Sequence, residues 1–425
     1  MIFQNVVKFG SVMVLALGLL ACTDQTSPAE TGSKDGAVTR PAAYTPSPIT
    51  QADKDVAKAR LESFVEGTGD PLNTPVSWYT PVRAVSGGGG TVLPLAKTAL
   101  SPDMVAALEK VEDYFETHKS LGYAVALDGE IIAEKYWGEF TRESRFNPQS
   151  MSKTIAALLV GIAIDDGYIK GVDDRIDIYL PELKGDLRGA VTVKNLLQMS
   201  SGLEQISTSY KITPENRAVR QHFGPDFIAP MMELKLIDAP GTKWDYNNNE
   251  TLLLTYVLQR ATGQEYASYM SEKIWAPLGL AKADMYLDRT GGYVMTSCCI
   301  LSRPIDWVTI GQLILDHGVY KGQRLVSAGW IDDMTTPSMT SKSYGYQIWL
   351  GDRTISDVRP ETPDPNFVWS DAPYKSDGVI VLSGYGFQRV WIIPEKKLVI
   401  MRAGNVWPQG WNENYVPNTL IAAVD

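Results

Sequence analysis

One apolar run constrains the fold of this chain more than any other segment. Residues 155–164 are apolar at helical spacing, which predicts a buried helix, and the Asp-Asp-Gly of residues 165–167 is a typical helix end. Ser150 therefore lies at or near the start of this helix, and Lys153 follows one turn later on the same face. A buried amine has a lowered pKa and can accept a proton from a serine hydroxyl. The pattern predicts Ser150 as a nucleophile, Lys153 as its base, and helix N–H groups that stabilise an oxyanion.

A second motif is needed, because S-x-x-K also arises by chance in a serine-rich chain. Tyr246 begins the only Tyr-x-Asn of the sequence, just after the Pro-Gly turn at residues 240–241. A tyrosinate near a lysine can move the serine proton, and the amide of Asn248 can contact both the lysine and a substrate carbonyl. The alternative is a surface tyrosine followed by a turn asparagine. Its position, 96 residues after Ser150 in a helical and loop-rich stretch, favours the catalytic interpretation.

A histidine-based triad is the competing arrangement. The chain has three histidines, and only His222 is a candidate for a site, since His118 ends a polar helix and His317 lies beside a helix end. No G-x-S-x-G elbow is present. Lysine and tyrosine therefore account for the base better than histidine does.

Together these motifs resemble the serine β-lactamase and penicillin-binding-protein superfamily. The resemblance rests on S-x-x-K at Ser150, Y-x-N at Tyr246 and the Leu-Leu-Gln-Met-Ser-Ser-Gly-Leu of residues 196–203, and its context covers most of residues 100–405. These sequence motifs are most similar to those of the class C-like branch, and within it to those of 6-aminohexanoate-dimer hydrolases and family VIII-type carboxylesterases. The resemblance implies an antiparallel sheet flanked by helices, an inserted helical domain, and a site in the cleft between them.

The third family motif departs from the pattern. Where the family has Lys-Thr-Gly on a sheet-edge strand, this chain has Leu382-Ser383-Gly384-Tyr385-Gly386. The resemblance implies that Ser383 and Gly384 take the motif's place and that a backbone N–H near Gly386 completes the oxyanion hole. The missing lysine favours esters or small linear amides over penicillins, although Arg389 could curl back and replace that cation.

Composition limits the partners. The net charge of −10 and the lack of a basic cluster argue against a nucleic-acid partner. The cysteines and histidines have no metal-ligand spacing, and no cofactor is implied. Cys298 and Cys299 are interpreted as small buried residues, with a vicinal disulfide as the lesser alternative.

The N-terminus predicts export. Lys8 and the apolar residues 9–20 form a signal-peptide pattern, so residues 1–21 are predicted as a signal peptide. It ends at a sequence that resembles a bacterial lipobox, which implies lipidation of Cys22, and Thr23 permits outer-membrane sorting. An ordinary secretory signal cleaved nearby is the alternative. Residues 22–54 are rich in Ser, Thr, Pro, Ala and Gly and predict a flexible tether.

Residues 55–425 are predicted as one α+β (α/β sandwich) domain, with a mostly helical subdomain over about 160–300. Strand patterns occur near both ends of this domain and helical patterns between them. The sequence therefore predicts a lipid-anchored periplasmic serine hydrolase of β-lactamase-like fold, acting on small-molecule esters or amides. A β-lactamase or DD-peptidase and a non-catalytic penicillin-binding or sensor module are the alternatives.

Overall fold

The computed structural model describes residues 45–67, 74–91, 93–206, 213, 215–351, 372–404 and 410–424. Residues Thr39–Asp425 fall in one compact unit. The predicted signal peptide, Cys22 and most of the predicted tether lie outside the described residues. The first helix begins at Gln51, inside the segment 22–54 assigned to the tether, because Thr50 and Asp53 form a capping box.

Eleven strands form the β-structure of the described residues. The bounds are β1 Val82–Val85, β2 Ser120–Leu127, β3 Glu130–Tyr136, β4 Ala283–Tyr286, β5 Ile300–Leu301, β6 Val319–Tyr320, β7 Gln323–Arg324, β8 Trp349–Leu350, β9 Ile380–Gly384, β10 Gln388–Ile393 and β11 Leu398–Gly404.

Eleven α-helices accompany them in the same parts of the chain. The bounds are α1 Gln51–Glu66, α2 Pro102–Thr117, α3 Ser152–Asp165, α4 Val193–Leu197, α5 Arg217–Phe223, α6 Ala229–Met232, α7 Asn248–Thr262, α8 Tyr266–Met270, α9 Pro304–Leu315, α10 Ala328–Met334 and α11 Tyr415–Ile421.

The main sheet has six antiparallel strands in the order β3-β2-β11-β10-β9-β8. Strands β2 and β3 are joined by Asp128-Gly129, and both residues have positive φ, as a tight hairpin turn requires. Strand β10 lies between β9 and β11, with Val390 opposite both Leu382 and Met401. Strands from the two ends of the domain therefore form one sheet, which confirms the predicted α+β class.

Alternation along the strands explains why both faces of this sheet are covered. In β10, Val390 and Ile392 face one apolar cluster, whereas Trp391 and Ile393 face another. Helix α9 packs on the first face, and Gly311 allows the close approach, since a Cβ there would lie 2.6 Å from Val399 Cγ1. Helices α2 and α11 cover the second face. The result is a layered helix–sheet–helix arrangement.

Helix α3 lies in the centre of the first cluster. Residues 152–163 are all buried, and the helix contacts α7, α8 and α10. Gly161 lets α10 approach, because a Cβ there would lie 2.3 Å from the Trp330 ring. Such a helix is a rigid platform for side chains at its N-terminal end.

Two further properties concern the described residues alone. None of their helices has both the length and the apolar character needed to cross a membrane. Their His, Cys, Asp and Glu side chains form no group of three that could hold a metal ion.

Candidate active site

Ser150 lies on a short 3₁₀ turn, Gln149–Met151, that leads directly into α3. Its side chain is partly exposed, whereas Ser152 and Lys153 are buried. The preceding residue, Gln149, has φ 54°, a left-handed conformation that is uncommon outside glycine. Asn147 supports this turn, since its Oδ1 accepts a hydrogen bond from Gln149 N at 2.9 Å. The serine is thus presented at the surface by a constrained turn on a rigid helix.

Lys153 combines contact with the serine and nearly complete burial. Its Nζ lies 2.8 Å from Ser150 Oγ and 2.9 Å from the carbonyl oxygen of Ser297, and the residue is 1% exposed. Burial lowers the pKa of Lys153 from its ordinary 10.5 to about 7. At neutral pH a large fraction of this side chain is therefore the neutral amine, which can accept the serine proton.

Tyr246 lies in the loop before α7 and faces the lysine. Lys153 Nζ is 5.1 Å from the centre of the Tyr246 ring, within cation–π distance. The ring stacks on Trp349 at 5.4 Å and also contacts Trp244 and Tyr344. The structure therefore brings Ser150, Lys153 and Tyr246 together, and an aromatic wall holds the tyrosine.

Asn248 is not joined to the lysine. It is the first residue of α7 and is partly exposed, and no hydrogen bond links it to Lys153 in the described structure. The preceding Asn247 caps α7 through its side chain, which accepts from Asn249 N at 3.0 Å. The role of Asn248 in orienting the lysine therefore stays a prediction, and the backbone acceptor that contacts Lys153 Nζ is the Ser297 carbonyl oxygen.

Strand β9 ends beside the serine turn. A Cβ at Gly384 would lie 2.2 Å from the Pro148 carbonyl oxygen and 3.1 Å from Gln149 Cβ, so only glycine permits this approach. Ser383, its neighbour, is half-buried. Gly386 and Phe387 form the following turn, with φ 74° and 59°, and their carbonyl oxygens accept from Arg402 Nη1. The assignment of an oxyanion-stabilising N–H near Gly386 stays a prediction.

Arg389 does not replace the missing lysine of the third motif. The residue is 4% exposed, and its guanidinium pairs with Glu413 through Nε at 2.6 Å and Nη2 at 3.2 Å. Its Nη1 also donates to the Gly384 carbonyl oxygen at 3.1 Å. The cation thus neutralises a buried carboxylate and steadies the end of β9, which leaves it committed to the protein itself.

His222 is close to the site without belonging to the Ser150–Lys153 contact. Its Nδ1 lies 3.0 Å from the Ala218 carbonyl oxygen on α5. Burial lowers the pKa of His222, the Ala218 hydrogen bond opposes this change, and the charge of Lys153 lowers it further. His222 is therefore neutral at pH 7 and lies close enough to Lys153 for an electrostatic interaction.

Cys298 and Cys299 form a vicinal disulfide. The interpretation of both as buried thiols is thus wrong, and the lesser alternative is what the structure has. Adjacent cysteines can be bonded here because Cys299 adopts φ 74°. The pair follows Ser297 directly, the residue whose carbonyl contacts Lys153.

Sequence reasoning missed two further residues near the site. Glu250, on the first turn of α7, is 1% exposed and accepts a 2.6 Å hydrogen bond from the Ser201 hydroxyl. Burial raises the pKa of Glu250 well above its usual range, and its hydrogen bonds from Ser201 tie the 196–203 motif to α7. Gln347 likewise links α3 to α7, through its carbonyl to Thr154 and its Oε1 to Thr251. Neither residue lies in a recognisable motif.

A groove opens beside the aromatic wall. Its volume is about 510 Å³, and polar side chains dominate its lining. Trp244 belongs both to this groove and to the wall around Tyr246. The lining residues are Thr242, Lys243, Trp244, Thr340, Ser341, Lys342 and Ser343.

Comparisons with known proteins find β-lactamase-like relatives. The β-lactamase family model matches residues 108–298. The 6-aminohexanoate-dimer hydrolase of Paenarthrobacter ureafaciens is 24% identical over 317 residues, which cover 72% of this chain and 77% of that protein.

Two solved structures share the fold. One is a Bacillus anthracis protein provisionally assigned as a 6-aminohexanoate-dimer hydrolase, with TM-score 0.65 and 18% identity, covering 83% of this chain and 94% of that one. The other is a family VIII carboxylesterase, with TM-score 0.53 and 16% identity, covering 77% and 98%. The fold, the family match and the first relative agree with the resemblance seen in the motifs. The chain is therefore similar to hydrolases of the serine β-lactamase and penicillin-binding-protein superfamily, and it has the β-lactamase-like fold.

Proposed function

We propose that this protein is a serine hydrolase that cleaves esters or small linear amides through an acyl-enzyme. The observation that carries the proposal is the 2.8 Å contact between Ser150 Oγ and a fully buried Lys153 amine, whose pKa burial lowers to about 7. A serine needs an adjacent base to act as a nucleophile near neutral pH. This amine meets that need in both geometry and protonation state.

In the proposed reaction, Ser150 Oγ attacks the substrate carbonyl carbon and its proton passes to Lys153 Nζ. Backbone N–H groups of Ser150 and of a residue near Gly386 stabilise the oxyanion. The Tyr246 hydroxyl relays a proton to the leaving oxygen or nitrogen, so the bond to the leaving group breaks as the acyl-enzyme forms. Water then attacks the acyl-enzyme carbonyl carbon and gives a proton to the same pair. The pair passes a proton to Ser150 Oγ as the acyl bond breaks and the carboxylic acid product leaves.

The substrate class follows from the end of β9. The lysine of the third motif is absent, and Arg389 is committed to Glu413. The relative from Paenarthrobacter ureafaciens is named for hydrolysis of a 6-aminohexanoate dimer. These points favour an unconstrained ester or linear amide.

Labelling with a fluorophosphonate tests the nucleophile. Mass spectrometry of the digested protein is expected to find the phosphonyl group on Ser150, and Ser150→Ala is expected to lose both the label and ester turnover. Ser152→Ala is the matched control, because that hydroxyl is buried on the next turn and has no hydrogen-bond partner. Labelling of a different serine, or full turnover by Ser150→Ala, would refute the proposal.

The second candidate, a β-lactamase or DD-peptidase, is favoured by the family model that the chain matches. A fluorescent penicillin used beside the fluorophosphonate separates the candidates. Stable penicillin labelling of Ser150 with no ester turnover would favour a penicillin-binding module, and rapid turnover of the penicillin would favour a β-lactamase. We expect ester turnover, without stable penicillin labelling of Ser150 and without rapid penicillin turnover.

We further propose that the mature protein is anchored in the bacterial envelope by a lipid on Cys22 and faces the periplasm. The motivation is the apolar segment that ends at this cysteine. Cys22→Ser is expected to release the protein from membranes or to leave the precursor uncleaved. A wild-type mature N-terminus at any other residue would contradict the anchor.

A further inference from the structure

The vicinal disulfide begins one residue after Ser297, whose backbone carbonyl contacts Lys153. Ser297, whose carbonyl oxygen lies 2.9 Å from Lys153 Nζ, is bonded directly to Cys298. The bond between Cys298 and Cys299 closes a small covalent ring around their shared peptide. The orientation of the Ser297 carbonyl therefore depends on the conformation of that ring.

The disulfide also touches the nucleophile turn by a second route. Cys299 N donates to Asn147 Oδ1 at 3.1 Å, and Asn147 Nδ2 lies 3.5 Å from Cys299 Sγ. The same Oδ1 accepts from Gln149 N, the residue before Ser150. Two independent contacts thus connect one covalent bond to both members of the Ser150–Lys153 pair.

Cys299 has a conformation that the disulfide helps to maintain. Its φ of 74° is in the left-handed region, which is unfavourable for a residue with a side chain. Opening the covalent ring frees rotation about ψ of Cys298 and φ of Cys299. Because Cys299 N is anchored on Asn147 Oδ1, such rotation moves Cys298 Cα and with it the Ser297 carbonyl that precedes it. Cys299 is 3% exposed whereas Cys298 is only partly buried, so a reductant has access from the Cys298 side.

We propose that Cys298 and Cys299 form a redox-sensitive positioning site that holds Lys153 against Ser150 when oxidised and releases it when reduced by a thiol. The proposal rests on the proposed function, in which Lys153 is the base. In the reduction, two thiols R–SH convert the S–S bond into two Cys–SH groups, and the thiols leave as one R–S–S–R. The disulfide gains two electrons and two protons, which the reductant supplies.

The sign of the effect on Lys153 follows from its hydrogen bonds. The Ser297 carbonyl stabilises the ammonium form more than the amine, so its loss lowers the pKa of Lys153 below the present value of about 7. Ser150 and the Tyr246 ring remain beside the amine. Reduction should therefore lower the pH at which Lys153 titrates. It should also move Lys153 Nζ away from Ser150 Oγ.

The experiment uses the full chain, oxidised or reduced with dithiothreitol, with thiols counted by maleimide mass labelling. Lysine Cε is ¹³C-labelled and titrated by NMR, with Lys153→Met to assign the signal, and kcat/KM for p-nitrophenyl butyrate is measured across pH. Reduction is expected to lower the Lys153 midpoint and to reduce kcat/KM by roughly 10- to 100-fold, the loss typical of a misplaced catalytic group. Reoxidation should restore both values.

The double variant Cys298→Ser/Cys299→Ser is the matched control, because it keeps Cys22 and lacks the bond. It should resemble the reduced wild type and be insensitive to dithiothreitol. An unchanged Lys153 midpoint in protein with two new thiols would overturn the proposal, whatever the activity. Absence of Ser150-dependent turnover in the oxidised chain would instead refute the proposed function, while the NMR titration still decides the coupling.

Discussion

At the scale of single residues, the burial of Lys153 has two effects. It costs folding free energy, and it favours the neutral amine that can accept a proton. The desolvated ammonium is disfavoured, so the folded protein binds its proton with a pKa of about 7, whereas the ordinary value is 10.5. Between these values the unfolded chain holds a proton that the folded chain lacks. Stability linked to this group therefore rises with pH through the window and is constant below it.

The Lys153→Met variant isolates that contribution. From pH 7 to pH 10, the free energy of unfolding of the wild type should increase relative to the variant by roughly 1 kcal/mol per pH unit. Urea unfolding of both proteins at each pH gives the difference, in which other titrating groups cancel. Parallel pH dependences would mean that Lys153 is not held as a depressed amine. The variant should also be inactive at every pH.

Tyr246 offers a test that changes one atom. Tyr246→Phe keeps the ring against Trp349 and removes only the hydroxyl, so kcat/KM should fall by about 10²–10⁴-fold with little change in Tm. Tyr266→Phe is the control, since it also removes a buried hydroxyl, one that has no hydrogen-bond partner. A loss smaller than about threefold would assign Tyr246 to packing.

The reactive side chains of the candidate site could be identified from the sequence, but the main-chain groups that contact them could not. Ser150, Lys153 and Tyr246 have reactive side chains at family spacing, which the sequence displays. The acceptor for Lys153 is a main-chain carbonyl 144 residues away, and any residue type supplies one. Arg389 and Glu413, which are 24 residues apart, likewise share no pattern.

At the scale of elements, the site depends on how closely β9 meets the turn before α3. Gly384 lies at that contact, and a methyl group there would approach the Pro148 carbonyl oxygen to 2.2 Å. Because neither partner is a flexible side chain tip, the strand or the turn must move. The strand pattern predicts β9, but the sequence does not show which of its residues touches another element.

Gly384→Ala should therefore affect activity more than folding. The displaced strand would misplace groups around Ser150, and kcat/KM should fall by roughly 10²-fold, with a loss of stability of about 1–3 kcal/mol. Gly171→Ala is the control, because its Cβ would meet no atom within 4 Å. Esterase kinetics and thermal unfolding measure both effects. Wild-type kcat/KM in Gly384→Ala would show that the close approach is not needed for the site.

At the scale of the whole molecule, the two ends of the domain build the sheet and the middle builds the rest of the site. Strands β2 and β3 precede α3 in the chain, and β8 to β11 follow α10, yet all six form one sheet. The periodic patterns and the family resemblance predicted this arrangement. Lys153 and Tyr246 are held from α3 and the loop before α7, whereas β9 brings Ser383 and Gly384 from far along the chain.

The residues at the end of β9 determine which substrate class we expect. A penicillin carries a carboxylate that a family lysine on the sheet edge would pair, and here the corresponding residues are Leu382, Ser383 and Gly384. The nearest alternative cation, Arg389, is held by Glu413 in the core. A charge-assisted hydrogen bond contributes about 1.5–3 kcal/mol, or roughly 10- to 150-fold in binding, and such binding also helps to orient the carbonyl.

We therefore expect p-nitrophenyl butyrate, and small linear amides, to be hydrolysed with a far higher kcat/KM than nitrocefin. Both chromogenic substrates are measured on the same preparation, with Ser150→Ala as the blank for each. Glu413→Gln adds a second arm: it removes the charge that holds Arg389, so any gain in nitrocefin turnover would identify the guanidinium as a latent carboxylate partner. A wild-type kcat/KM for nitrocefin above that for the ester would contradict the esterase assignment, because it would require carboxylate recognition that β9 and Arg389 do not provide.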